Sequence, residues 1–519
     1  MEKYRGLSPS EFFYRNREIA GFSNPTRALY QTVRELVENS LDATEMHGIL
    51  PEIKVIVKLD KEDQEKVTVR VEDNGIGIPP SEIPNAFARV FYGSKYVLRQ
   101  ARGVFGLGVK MAVLYAQITT ARPIYVKSST RRSKFEYEYK LLIDIEKNLP
   151  IITELKVRRL LENWHGTIVE LTLNGNWYIA KSRIEEYIRR TALIAPYAKI
   201  TLEGPDISLK LERASDKLPE PPQVGKHHPC GVDVELLRSL IRKFGRSKTL
   251  AEFLMSNFDG VGQITARKFC EWAGFDPNMK LKELGLRDLE RLANKMREFP
   301  KWRRPKPITL SPLGEELLKR GVENVLKPEF VAVVSRPPAS YGGHPFIVEV
   351  ALAYGGEVPE SDSPLLLRFA NRIPLLYDEG VDVSRKVIAS IDWSIYKVKF
   401  PAKLAIVTHI CSTKIPFKGV GKEAIADVPE VERELTIAIR DVARKLRSYL
   451  SKIERLYEVK RKEVTVKKYL NEVVRALSYV SGHEEKVLKR KLLALLRREL
   501  SRRGRGVNVS EEYSEEACS

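Results

Sequence analysis

The chain has 519 residues, more than one ordinary hydrophobic core holds, so several domains are expected. Hydrophobic residues make up 43%, which argues against general disorder, and no run of ~18 apolar residues offers a membrane span. A net charge of +20 favours a polyanionic partner, nucleic acid above all, over the more balanced charged surface of a thermophile.

Residues 1–222 read as an α/β domain. The opening MEKYRGLSPSEFF lacks the apolar core of a secretion signal. Asn24 and Pro25 then form a helix start: a capping side chain followed by a ring preset for the first turn. Leu29, Val33, Leu36, Val37 and Leu41 share one face, and Gly48 marks the stop. Glu35, Asn39 and Asp42 recur at the same spacing on a neighbouring stripe, an unusual trio beside a core. EIKVIVKL (52–59), KVTVRVED (66–73) and GTIVELTL (166–173) alternate as half-buried strands do.

Two glycine-bearing turns interrupt this domain. DNGIGIPP (73–80) follows a strand, with Asp73 at its end and Gly75 and Gly77 allowing close backbone approach. RGVFGLGVKMAVLYA (102–116) places Gly103, Gly106 and Gly108 ahead of a helix, where free N–H groups suit phosphates. The spacing is not that of a P-loop. HGT (165–167) directly precedes a strand.

KLPEPPQVGKHHP (217–229) is a linker by composition, and a short helical unit with breaks at Gly245, 259–263 and 274–277 follows. RRPKP (303–307) is a second linker. Strand-like runs return in FVAVVS, FIVEVALAY, PLLLRFA and KLAIVTHICS. From Pro429 a helix continues through about residue 460, and thirty residues of helix would reach ~45 Å. The segment 466–519 reads as basic and helical with a disordered tail. Cys230, Cys270, Cys411 and Cys518 form no C-x-x-C pair, so neither a zinc site nor a disulfide framework is indicated, and a reducing cytoplasm fits.

Helix E-x-x-x-N, strand-D-x-G-x-G, G-x-x-G-x-G and G-T, in that order, resemble the Bergerat ATP-binding fold of gyrase, MutL, the ninety-kilodalton heat-shock chaperones and histidine kinases. The resemblance implies ATP and Mg²⁺ as ligands. It makes Asn39 the Mg²⁺ ligand and Glu35 the general base. Glu38 is the rival base and adjoins Asn39, but it projects about 100° away from that residue around the helix. Asp73 would accept from the adenine amino group with Thr167 nearby, and Gly75 and Gly77 would let backbone approach the nucleotide closely. Gly103, Val104, Phe105, Gly106, Leu107, Gly108, Val109 and Lys110 would form the phosphate lid, with Ser94 and Lys95 near the phosphates.

SPSEFFYRNREIAGFSNPTRALYQTVRELVENSLDATEMHGILP, GHPFIVEVALAYGG, LRFANRIPLLYDEG and CSTKIPFKGVGKEAIA closely resemble the B subunit of archaeal topoisomerase VI, over about residues 5–460. That family implies an α+β multidomain chain. A Bergerat-fold ATPase domain spans 1–222, a helix-two-turns-helix domain 229–305, and a transducer domain ending in a long helix 306–465. It implies an ATP-hydrolysing subunit of a type IIB DNA topoisomerase. Two B subunits would dimerise on ATP, clamp double-stranded DNA and drive its passage through a break made by an A subunit in an A2B2 heterotetramer. In STK, Lys414 would be the switch lysine reaching the γ-phosphate. The family's Trp-Lys-x-Tyr motif stands here as WSIY: Trp393 and Tyr396 match, and Ser394 replaces the lysine, with Lys397 and Lys399 close by. AKSR offers Lys181 and Arg183 as further DNA contacts. A histidine kinase would need an acceptor domain upstream, for which there is no room. A chaperone would lack the middle helical unit. A MutL-like ATP-switched DNA clamp without strand passage is the alternative. No membrane partner is expected.

Overall fold

A computed structural model describes residues 6–103, 106–419 and 421–504. The chain divides into two compact units. One runs to Ile391 and resumes over Phe400–Val442; the other joins Asp392–Lys399 to the chain from Ala443 onward.

In the first unit, α1 (Pro9–Arg15) and α2 (Pro25–Glu45) lead into β1 (Glu52–Leu59) and β2 (Lys66–Asp73). There follow α3 (Ile83–Ala88), α4 (Gly108–Thr120), β3 (Ile124–Ser129), β4 (Phe135–Asp144), β5 (Leu149–Arg159), β6 (Gly166–Asn174), α5 (Trp177–Ile194), β7 (Lys199–Gly204) and β8 (Ile207–Leu211). The strands form one sheet in the order β5-β4-β3-β6-β2-β1-β7-β8. Helix α2 starts where the sequence signals it: the Asn24 side chain accepts from the Arg27 N–H and Pro25 opens the first turn. Its apolar stripe, Leu29 to Leu41, is buried with α4 and α5 in one core with the sheet. In β2, Val67, Val69, Val71 and Asp73 fall on one buried face, because side chains alternate along a strand. The pairings of β2 with β6 and β6 with β3 set Asp73, Thr167 and Ser128 in one row across three strands. A carboxylate is thereby delivered to the end of an otherwise apolar stripe.

The helical unit comprises α6 (Val234–Phe244), α7 (Leu250–Asn257), α8 (Gln263–Ala273) and α9 (Leu286–Glu298), around its own core of Leu237, Phe253, Phe258, Phe269, Leu292 and Met296. Next come α10 (Glu315–Leu326), β9 (Phe330–Ser335), β10 (Ala339–Tyr341), β11 (His344–Tyr354), β12 (Leu365–Ala370), β13 (Ile373–Leu375), α11 (Val383–Ala389) and β14 (Leu404–Ser412). These strands build a second sheet in the order β10-β11-β14-β12-β13, with β9 also on β11. Strand β14 is buried throughout, including a polar trio with Glu349 of β11. The Arg372 N–H donates to His409 Nε2, so Nδ1 carries the proton and donates to Glu349 at 2.8 Å. Glu349 also accepts from the Leu313 and Gly314 N–H groups ahead of α10. Cys411 completes the trio, whose atoms are engaged with one another and with backbone. The cluster is a hydrogen-bonded core.

The architecture is the expected α+β multidomain one. The last long helix, α12 (Pro429–Ser481), runs 53 residues, well beyond residue 460, and α13 (Glu485–Gly504) follows. The tail expected to be disordered, SEEYSEEACS (510–519), lies outside the described residues. Among the described residues no helix is long and apolar enough to cross a membrane.

Candidate nucleotide-binding site

One face of α2, the turn after β2, residues from 92–103 and 106–110 and the loop at 421–422 enclose a cavity of ≈ 520 Å³. Its inner end is built on Asp73. Oδ1 accepts from the Gly75 N–H at 2.9 Å and the Thr167 N–H at 3.2 Å, while Oδ2 accepts from the Ser40 hydroxyl at 3.0 Å. Burial pushes its pKa up to about 6 although these donors pull the other way. Backbone passes very close here. A Cβ on Gly77 would lie 1.9 Å from the Ser129 carbonyl oxygen, and Gly77 has φ +72°. A Cβ on Gly166 would lie 2.0 Å from the Asp73 carbonyl oxygen. The Thr167 hydroxyl sits 3.1 Å from that of Ser128.

Along α2 the two candidate bases separate. Glu35 borders the cavity, accepting from Gln31 Nε2 at 3.0 Å, and lies against the first residue of α4: a Cβ on Gly108 would fall 1.6 Å from its Oε2. Glu38 is buried away from the cavity and accepts from Arg34 Nε at 2.7 Å. Three residues turn the helix by about 300°, so the two carboxylates point about 60° apart, one to the cavity and the other to an ion pair.

Asn39 is exposed on the cavity wall, and its Oδ1 already faces a cation, Lys95 Nζ at 3.2 Å. An amide oxygen aimed at positive charge fits Mg²⁺, which takes few protein ligands and completes its shell with phosphates and water. Lys95 also pairs with Asp42 at 2.5 Å. Asp42 is the third member of the polar stripe. Burial would raise its pKa, but Lys95 and Arg102 together hold it at about 2. Arg102 reaches on to Glu45 with both terminal nitrogens, at 2.8 and 2.7 Å. Glu45 in turn takes the Tyr197 hydroxyl at 2.9 Å and Arg372 at 3.4 Å. Gln100 exchanges side-chain hydrogen bonds with the Ser311 backbone, its N–H donates to the Thr309 carbonyl, and Asn371 Nδ2 donates to the Ala101 carbonyl. The segment before the glycines is therefore braced from the second sheet and its leading loop.

Ser94, Lys95, Gly103, Gly106, Leu107, Gly108, Val109 and Lys110 all border the cavity. Val104 and Phe105 lie outside the described residues. Lys110 donates to the Tyr92 carbonyl at 2.9 Å, and burial, with Lys95 nearby, lowers its pKa to about 8 against the pull of Glu35.

The structure departs from the sequence expectation at Lys414. That lysine is exposed, acts electrostatically on His344, and is absent from the cavity wall. Lys422, further along the same loop, borders the cavity instead, with Glu35 and Glu38 among its neighbours and burial lowering its pKa. The loop leaves β14 at Ser412, so the residues just after the strand stay beside β10 and β11, and only the later glycine-flanked stretch reaches α2. The glycines around Lys422 in KGVGKE were the available signal.

The suggested DNA contacts are also engaged within the chain. Lys181 pairs with Asp206 at 2.7 Å, and Arg183 pairs with Glu186 at 2.8 Å while lying over the Tyr377 ring. In the second unit Trp393 is buried, its ring 6.2 Å from that of Tyr396, and Lys397 pairs with Glu454.

A layered α/β domain with an acid at a strand end, an amide and a carboxylate on one helix face, and a glycine-rich segment opening a helix defines an ATPase of the gyrase type. The family "Histidine kinase-, DNA gyrase B-, and HSP90-like ATPase" matches residues 24–143, and "Topoisomerase VI B subunit, transducer" matches 305–462. The B subunit of type 2 DNA topoisomerase 6 from Pyrobaculum aerophilum is 53% identical over 96% of this chain and 95% of its own length. That of Saccharolobus islandicus is 47% identical over 94% and 93%. The ATPase region of Saccharomyces cerevisiae topoisomerase II is similar at a TM-score of 0.42 and 13% identity, covering 87% of this chain and 98% of that one. The chain belongs to the family of type 2 DNA topoisomerase 6 B subunits, and is the nucleotide-binding, ATP-hydrolysing subunit of a type II DNA topoisomerase.

Proposed function

We propose that two copies of the chain close on ATP and Mg²⁺ around a DNA duplex. A partner A subunit, in an A2B2 assembly in the cytoplasm, cuts the second duplex through which the first passes. The observation that carries this reading is that Glu35 of α2 and Lys422 of the distant loop border the same cavity, so the phosphates can be read from two parts of the chain at once.

Asp73 accepts the adenine amino group, while Gly77 and Thr167 shape the space for the ring. Asn39 holds Mg²⁺, which would neutralise phosphate charge. Gly103 and the stretch from Gly106 to Lys110 lie over the phosphates, aided by Ser94 and Lys95. Glu35 orients and deprotonates the attacking water, and Lys422 stabilises charge on the γ-phosphate. Phosphoryl transfer asks for this kind of positioning and neutralisation rather than covalent help. Of the DNA candidates, Lys181 and Arg183 contact DNA only by exchanging carboxylate partners, and Trp393 and Tyr396 serve as a local packing pair beside the exposed Lys399.

The test is relaxation of supercoiled plasmid by the protein with its co-purified partner. ATP-dependent relaxation supports strand passage. ATP-dependent retention on circular DNA without any change of linking number would instead make the protein a MutL-like clamp.

A further inference from the structure

The most strongly buried charged group on α2 is Arg34, which borders the cavity and meets two carboxylates. Nε donates to Glu38 at 2.7 Å and Nη1 donates to Glu423 at 2.8 Å. All three side chains are almost wholly buried. Removing three charges from water is costly, and apolar residues of similar size would serve stability as well or better. The cluster therefore calls for a reason beyond stability.

That reason lies one residue before Glu423. Lys422 has φ +56°, a left-handed conformation that a lysine adopts only when its surroundings enforce it. The loop is anchored directly after it. The Glu423 carbonyl accepts from Arg368 at 3.0 Å, the Ile425 N–H donates to Asp382 at 2.8 Å, and Arg368 and Asp382 pair with each other. Those three contacts fix the loop to the second sheet and α11. The Arg34–Glu423 pair fixes it to α2, the helix that also carries Glu35 and Asn39.

We propose that the Arg34–Glu423 pair is an ionic latch that sets Lys422 against the phosphate end of the cavity, making Arg34 and Glu423 positioning residues for ATP hydrolysis. The proposal rests on the reading of Lys422 as a phosphate-facing lysine. The arginine fork suits the task, since one planar group grips Glu38 within the helix and Glu423 across the chain at once. Glu38 keeps Arg34 in place, Arg34 keeps Glu423 in place, and the strained residue beside that anchor is held at the cavity wall.

The experiment uses the full chain with Glu423→Gln, which keeps size and leaves Arg34 its Glu38 partner, and with Arg34→Lys, which keeps charge but loses the fork. Lys422 acylation by an amine reagent, read by mass spectrometry, reports its position directly. The latch predicts severalfold faster labelling of Lys422 in both variants, with labelling of the exposed Lys414 unchanged. It also predicts a fall in kcat of about tenfold with little change in the KM for ATP. In a Lys422→Ala background, Glu423→Gln should add less than about twofold, because both changes remove one contribution. Unchanged Lys422 labelling, or full additivity of the two substitutions, overturns the latch. A Lys422→Ala protein that hydrolyses ATP at the wild-type rate overturns the role of Lys422 instead, and the labelling then decides the latch alone. If Glu423→Gln does not fold, Arg34→Lys carries the same comparison.

Discussion

Glu38→Gln and Glu35→Gln are chemically identical changes a single turn apart on α2, and the proposed roles give them opposite consequences. Glu38 is buried against Arg34, whose second carboxylate partner, Glu423, survives the change. Breaking a buried pair costs about 3–5 kcal/mol, and the surviving partner puts the expectation at the low end. For a domain of about 200 residues each kcal/mol moves Tm by roughly 2–4 °C, so a drop of roughly 6–12 °C follows. Glu35 accepts a hydrogen bond from Gln31 and borders the cavity, so its change should leave Tm nearly unmoved. Its cost falls on the chemical step: general-base help is worth ~10²–10⁴-fold, or ~3–5 kcal/mol of barrier. Thermal unfolding followed by single-turnover ATP hydrolysis on both variants gives the comparison, with ATP binding measured separately. A Glu38→Gln protein that melts like the wild type but has lost hydrolysis would refute the assignment and make Glu38 the base.

Lys422→Ala should slow hydrolysis by ~10²-fold, as loss of one preorganised charge-stabilising donor does, whereas Lys414→Ala should hydrolyse ATP normally; steady-state rates of the pair check this. Adenine-nucleotide affinity should rise with pH as Asp73 ionises: with a pKa of about 6, roughly a tenth of it is charged at about pH 5, so binding there should be about tenfold weaker than at neutrality. Calorimetry across that range tests it, and Asp73→Asn should abolish the dependence. A carboxyl raised in this way favours folding most below pH ~4 and gives up that contribution as pH rises through about 6, so stability and binding should move in opposite directions. Gly77→Ala should cost well over ~1 kcal/mol and nucleotide binding with it, because the new methyl meets the Ser129 carbonyl and the backbone is left-handed. DNA affinity should drop ~10³-fold or more between about 50 and 200 mM salt if six or more phosphates are neutralised; a sequence preference that persists at high salt would count against backbone charge as its source.

Local signals carried much of this site. The Asn24–Pro25 start, the apolar stripe of α2 and the alternation of β2 are short-range properties, and they place Glu35, Asn39 and Asp73 without reference to the rest of the chain. What failed to show was long-range. Arg102 reads as one more basic residue until the fold brings Asp42, Glu45 and Tyr197 around it. Motif likeness points only to Lys414, whereas the path of the chain after β14 brings Lys422, further along the same aperiodic loop, to the cavity wall. The long α12 was underestimated because its apolar spacing loosens past residue 460 while its helix-forming residues continue.

The brace on residues 98–102 bears on how this enzyme can be dissected. A fragment cut at the linker near residue 222 would keep Asp73, Asn39 and Glu35. It would lose Thr309 and Ser311 from Gln100, Asn371 from Ala101, Arg372 from Glu45 and Glu423 from Arg34. Such a fragment would keep the carboxylate at the strand end, yet the segment ahead of the glycines would be untethered and two buried charges would be short of a partner. Turnover measured on the fragment would describe a different catalyst, and compounds selected against it would be scored on a pocket whose outer half has come loose.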